Sequence, residues 1–183
     1  MKKIIALALV LVMALSLVAC SGGAASADNY PSKAVQVIVP FTAGGGTDLV
    51  TRAIVDAAKG SFPKGIAVEN KTGGGGAIGM VAGANAAPDG TVLTTVCVEL
   101  TTLPHTGTGA TLQHDSFKPV LMMNSAYSVL SVKADAPSES LSDFIEAAKT
   151  QDLQIGNSGV GAIWHLAAAA LGQKAGVEFV HVP

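Results

Sequence analysis

Pro40-Phe-Thr-Ala-Gly-Gly-Gly-Thr-Asp48 stands between two segments of different periodicity. Before it, Val35-Gln-Val-Ile-Val39 is a short β-branched run that reads as a buried strand. After it, residues 48–59 carry Val50, Ala53, Ile54, Ala57 and Ala58 at helical spacing. A strand that feeds a helix through a glycine-rich turn leaves the first helical amides without backbone acceptors. Glycines lack the Cβ that would hold another molecule away from those amides. The positive end of the helix dipole then favours an anion at the same place. A merely tight strand-to-helix turn satisfies the same residues, so the rest of the chain has to decide between the two.

Outward from that stretch, strand and helix patterns alternate. A short strand at Ile66-Ala-Val68 leads through polar Glu69-Asn-Lys-Thr72 into Gly73-Gly-Gly-Gly-Ala-Ile-Gly79 and a small-residue helix ending near Ala86, before Pro88-Asp-Gly90. A strand is expected over 91–98, irregular loop over 99–118, and a strand pair or one long strand in the apolar run Pro119 to Val132. Ser140-Leu-Ser-Asp143 has capping-box form and opens a helix over 141–149. Strand Leu153-Gln-Ile155, loop Gly156-Asn-Ser-Gly-Val-Gly161, a helix over 162–172 and strand Val177 to Val182 complete the chain. Such alternation predicts an α/β fold with parallel neighbours and right-handed crossovers. A chain that stops directly after a strand also reads as the N-terminal part of something longer.

Composition narrows the function classes. Of 183 residues, 49% are hydrophobic and only 13% charged, which supports a packed core rather than disorder. The formal charge is −2 with no basic run beyond the N-terminus, so nucleic acid is not an expected partner. Met1-Lys2-Lys3 followed by the uncharged apolar segment Ile4 to Val18 has the form of a secretory signal. Leu17-Val-Ala-Cys20 places a small residue just before a cysteine, and in this it resembles a bacterial lipoprotein signal. Residues 1–19 are then a removable signal peptide, Cys20 a lipid-modified first residue inserted in the bilayer, and 20–29 a flexible tether. Cys97, alone after that, reads as a buried structural thiol.

Several segments together resemble the periplasmic substrate-binding proteins of the tripartite tricarboxylate transporter, the Bug family. They are Tyr30-Pro-Ser-Lys33, Val39-Pro-Phe-Thr-Ala-Gly-Gly-Gly-Thr-Asp48, Val68-Glu-Asn-Lys-Thr-Gly-Gly-Gly-Gly-Ala-Ile-Gly79, Ala87-Pro-Asp-Gly-Thr91, Phe117-Lys-Pro-Val120, Gly156-Asn-Ser-Gly-Val-Gly161 through His165, and Gly176 to Pro183. The resemblance implies a two-lobed type 2 periplasmic binding protein fold, truncated at the C-terminus, with incomplete lobes at 30–125 and 126–183. It implies no enzyme and no cofactor, but an extracytoplasmic receptor, membrane-anchored here through the lipoprotein-type signal, that captures a small carboxylate and delivers it to membrane permease subunits. Carried over by position, the ligand-binding residues are Phe41, Thr42, Ala43, Gly44, Gly45 and Asp48 in one loop, with Ser158, Gly159, Gly161 and His165 in the other. Two helix N-termini aimed into one crevice would suit two carboxylates of one ligand.

Individual roles stay open at this level. Asp48 suits the dipole of its helix, and it also suits a ligand amino group that would separate amino acids from plain dicarboxylates. Ser158 fits either an N-cap or a ligand donor, and His165 either packing beside Trp164 or ligand contact. Pro104-His-Thr-Gly-Thr-Gly109 departs from the family pattern, and no contact is carried over there. The rival class is a nucleotide-cofactor-dependent oxidoreductase, since Gly74-x-Gly76-x-x-Gly79 formally matches a dinucleotide fingerprint with Glu99 twenty residues later. Four polar residues between strand and glycines weaken it, because the fingerprint wants a near-immediate turn. His105 and His114 lack a metal-ligand spacing.

Overall fold

Val35–Val39 forms β1, the middle strand of a parallel sheet ordered β2-β1-β3, where β2 is Ile66–Asn70 and β3 is Val92–Thr94. The computed structural model describes residues 30–183; the expected signal, Cys20 and tether lie outside them. Val35 and Val39 are almost wholly buried, as a central strand covered on both faces requires. Register pairs Val39 with Asn70 on one side and Ile38 with Thr94 on the other, so the carboxyl ends of all three strands meet at one edge. β2 runs two residues further than its apolar pattern predicts. Glu69 and Asn70, read as connecting residues, are its last two rungs, because β1 supplies ladder partners for them.

Helix α1, Gly46–Ala58, starts two residues before its expected first turn. Its inward face is Asp48, Thr51 and Val55 rather than the alanine-rich stripe around Ala53 and Ala57, which is exposed. Two polar residues can point inward because both are hydrogen-bonded: the Thr51 hydroxyl donates to the Thr47 carbonyl at 2.7 Å and lies 3.0 Å from the Thr95 hydroxyl. Helix α2, Ala77–Ala84, packs so closely on the sheet that a Cβ on Gly79 would fall 2.7 Å from Pro40 and from the Lys71 carbonyl.

Two expectations fail here. Residues 99–106, expected as loop, form helix α3, Glu99–Thr106; its Leu103 is fully buried in a cluster with Ala77, Met80 and Leu112. Pro104 and the run of threonines hide that helix from a propensity reading. The apolar run 119–132, expected as strand, has none and is largely exposed, with Val120, Met122 and Val129 each above 80%. β-propensity describes fit to a paired, half-buried surface, and no described strand lies beside this run. The expected strand over 91–98 is likewise only the three rungs that β1 pairs.

Beyond that run, Ser140 caps helix α4, Leu141–Ala148, as the capping box predicts, accepting from the Asp143 amide at 3.2 Å. Strand β4, Gln154–Gly156, pairs in parallel with β5, Val180–Val182, through the crossover helix α5, Ile163–Ala175. A second core of Phe144, Ala148, Ile155, Ala168 and Phe179 fills the space between them, with the Phe144 and Phe179 rings stacked 5.6 Å apart.

Candidate functional site

The turn between β1 and α1 is held from within by one carboxylate. Asp48 is 1% exposed. Its Oδ1 accepts from Arg52 Nε at 3.0 Å and Asn70 Nδ2 at 2.9 Å. Its Oδ2 accepts from Arg52 Nε at 3.0 Å and the Gly44 amide at 2.8 Å. Asn70 Nδ2 also donates to the Phe41 carbonyl at 3.0 Å, and Arg52 Nη2 donates to Asn70 Oδ1 at 2.8 Å. The Arg52 hydrogen bonds, then those of Gly44 and Asn70, lower the Asp48 pKa to about 2, so it stays ionised at neutral pH. Asp48 therefore positions the loop, and its side chain has little acceptor capacity left for a ligand.

This brace shapes a surface of backbone amides. Gly44 adopts φ +80°, a left-handed conformation that glycine takes without strain. Gly45 donates to the Thr42 carbonyl at 3.2 Å, and the first helical bond runs from Leu49 to Gly45. The amides of Gly46, Thr47 and Asp48 precede that bond and have no intrahelical acceptor. Thr42, Ala43, Gly44 and Gly45 are exposed, whereas Phe41 is half-buried with its ring against Gly76. Arg52 and Asn70 escaped the sequence reading; the i,i+4 spacing of Asp48 and Arg52 was the available signal.

The second loop is braced differently. Asn157 Oδ1 accepts from the Gly159 amide at 3.0 Å, and His165 Nδ1 accepts from the Gly161 amide at 3.2 Å. Gly159 and Gly161 have φ of +112° and +81°. His165 thus secures the loop from the first turn of α5, with its ring edge-on to His181 at 4.6 Å. Ser158 is exposed and is not the N-cap; that position belongs to Ala162, which offers no side-chain cap. The α5 end is served instead from across the molecule, where Glu99 Oε1 accepts from the Ile163 amide at 3.4 Å. Beside it, a Cβ added to Gly75 would come within 3.5 Å of the Ala162 amide nitrogen, so the glycine run abuts this helix end.

The dinucleotide-binding rival does not find its geometry. Gly79 is explained by its close packing on Pro40, and Glu99 sits at a helix start rather than a strand end. Among the described residues no three His, Cys, Asp or Glu side chains form a metal-binding group. Burial, and then the charge of Glu99, pushes the Cys97 thiol up to about 11, which leaves it unreactive.

Residues 50–183 match the family model of the tripartite tricarboxylate transporter family receptor. The chain belongs to that family. A solute-binding protein of this receptor family from Polaromonas, solved without ligand, is 40% identical with a TM-score of 0.59, covering 84% of this chain and 53% of that one. MatC from Rhodopseudomonas palustris, solved with bound malate, is 26% identical with a TM-score of 0.67, covering 84% and 54%. A UPF0065 protein of Bordetella pertussis is 31% identical over 166 residues, covering 89% of this chain and 51% of the relative. The chain therefore spans about half the length of the relatives it matches.

Proposed function

We propose that the chain is the solute-capturing receptor of a tripartite tricarboxylate-type transporter, holding a small carboxylate between two lobes and delivering it to membrane permease subunits. The observation that carries this reading is the row of amides without intrahelical acceptors at the start of α1, beside a turn fixed by the fully engaged Asp48 carboxylate. Such a row donates several hydrogen bonds to one anion without any charged side chain. Family membership and the malate bound by one relative support a carboxylate as that anion.

The lobes are residues 30–125 and 126–183. Phe41 to Gly45 contact the ligand from one and Ser158, Gly159 and Gly161 from the other, while Asp48 and His165 position the loops. The relatives with a stated role bind solutes, and no residue here is assigned a catalytic one. Residues 1–19 export the chain and acylated Cys20 anchors it outside the cytoplasm, a reading that rests on the sequence pattern alone.

Thermal unfolding with malate, succinate, citrate, aspartate, glutamate and nicotinate tests the function. A ligand at a hundred times its dissociation constant stabilises by about 2.7 kcal/mol. At least one selective, saturable shift is expected. A cooperative transition that none of the six moves would refute the carboxylate reading.

A further inference from the structure

Glu99 is the first residue of α3, beyond the carboxyl end of β3, and is only 3% exposed. One carboxylate oxygen, Oε1, bonds to the Ile163 amide at the start of α5. The other, Oε2, is buried and has no hydrogen-bond partner among the described residues. A buried carboxylate oxygen without a donor is costly, and native structures rarely leave one unless another molecule completes it.

The position of this oxygen says what would complete it. The helix end at Ile163 already has its anion, so a ligand carboxylate brought there would face Glu99 at close range and be repelled. A group that brings hydrogen-bond donors and positive charge would instead satisfy Oε2. The walls around Glu99 come from both sides of the candidate site. The Cys97 thiol feels its charge, and the glycine run touches both loops, with Gly75 against the α5 end at Ala162 and Gly76 against the Phe41 ring. The first loop and the helix end that Glu99 serves thus meet on one glycine run, one side suited to an anion and the other to a cation.

We propose that Glu99 is a specificity-determining residue that selects an amino-carboxylate: the ligand's carboxylate sits on the α1 amides and its ammonium group donates to Glu99 Oε2. This rests on the carboxylate-binding reading of the first glycine loop. It also reassigns to Glu99 the amine-selecting role that the sequence suggested for Asp48, whose acceptor capacity is already used. Oε2 is closed off from solvent, so this assignment requires the elements around it to part for the ligand to enter.

Two matched series test it by titration calorimetry on the whole chain: aspartate, malate and succinate, then glutamate, 2-hydroxyglutarate and glutarate. Within each series the members differ only in an amine, a hydroxyl or a hydrogen. The amine member should bind roughly tenfold tighter or better than the unsubstituted one, the worth of one charge-assisted hydrogen bond. In Glu99→Gln the preference should shrink to about twofold or less, since the amide keeps the shape and loses the charge. Equal or tighter binding of succinate and glutarate by the wild type would overturn the inference and leave the carboxylate reading standing. Tightest binding of the hydroxy acids would overturn the amine assignment, and an amine preference unchanged in Glu99→Gln would overturn the role of Glu99. Binding of none of the six would remove the carboxylate reading itself. If Glu99→Gln fails to fold, as circular dichroism would show, the wild-type order within each series still decides.

Discussion

The two glycine loops look alike in sequence and are finished to different degrees. In the first, one buried carboxylate accepts from Gly44, Arg52 and Asn70, all from the same sheet-and-helix unit. In the second, the buried polar groups are only partly matched: Asn157 and His165 each hold one glycine amide, yet Asn157 Nδ2 and His181 Nδ1 have no partner among the described residues. The helix behind the second loop even takes its anion from elsewhere, through Glu99. A loop whose polar groups are all satisfied locally is preorganised, whereas one with open valences gains on meeting a partner. Under the proposed function, the contrast suits the first loop to a fixed anion seat and the second to an adaptable wall.

Substitution of Gly44 should separate the loops most strongly. Gly44 and Gly161 have nearly the same left-handed φ, and a Cβ would meet nothing within 4 Å at either. Valine at each costs backbone strain of about 1–3 kcal/mol. By calorimetry Gly44→Val should lose measurable ligand binding, while Gly161→Val should weaken it less. Comparable losses would mean that the two loops seat the ligand equally.

The Asp48 brace has a pH signature. Its pKa is lowered in the folded chain to about 2 from an ordinary 3.8, so its stabilising contribution is present above about pH 4 and is lost as pH falls towards 2. Urea unfolding at pH 5 and pH 2.5 should show a steeper loss for wild type than for Asp48→Asn, which has no such proton to take up. Parallel losses would mean that other carboxylates govern the acid limb.

Smaller effects are expected in the second loop. His165→Ala removes the acceptor for the Gly161 amide and should lower stability by about 1 kcal/mol in urea unfolding. Ser158→Ala should change stability by less than about 0.5 kcal/mol, because Ser158 is exposed and caps nothing. A larger drop for Ser158→Ala would restore it as a structural residue.

What the sequence made legible follows from how local each cause is. The β1 run, its glycine turn and the Ser140 capping box depend on neighbours within a few residues, and all three were readable. The buried face of α1 was not, because Asp48 and Thr51 turn inward only when Asn70, the last residue of β2, and Thr95, just past β3, complete their hydrogen bonds. Helix α3 was missed because its anchor, Leu103, is explained by Met80 and Leu112 rather than by the threonines around it. The run 119–132 failed in the opposite sense: its local β-propensity is strong, but no strand pairs with it among the described residues. In the site, the glycines and Asp48 were found from the motif, whereas the bond from Glu99 to Ile163 spans 64 positions and leaves no sequence pattern.

On the proposed function, the amides at the start of α1 hold the ligand's carboxylate. Amide chemical shifts recorded by 15N-edited NMR during titration with the tightest of the tested ligands examine it directly. Saturable shifts should be largest at Gly46, Thr47 and Asp48, whose amides have no intrahelical acceptor, with smaller ones at Gly159 and Gly161. Saturable binding that leaves the Gly46–Asp48 amides unmoved would overturn that assignment and place the anion seat elsewhere.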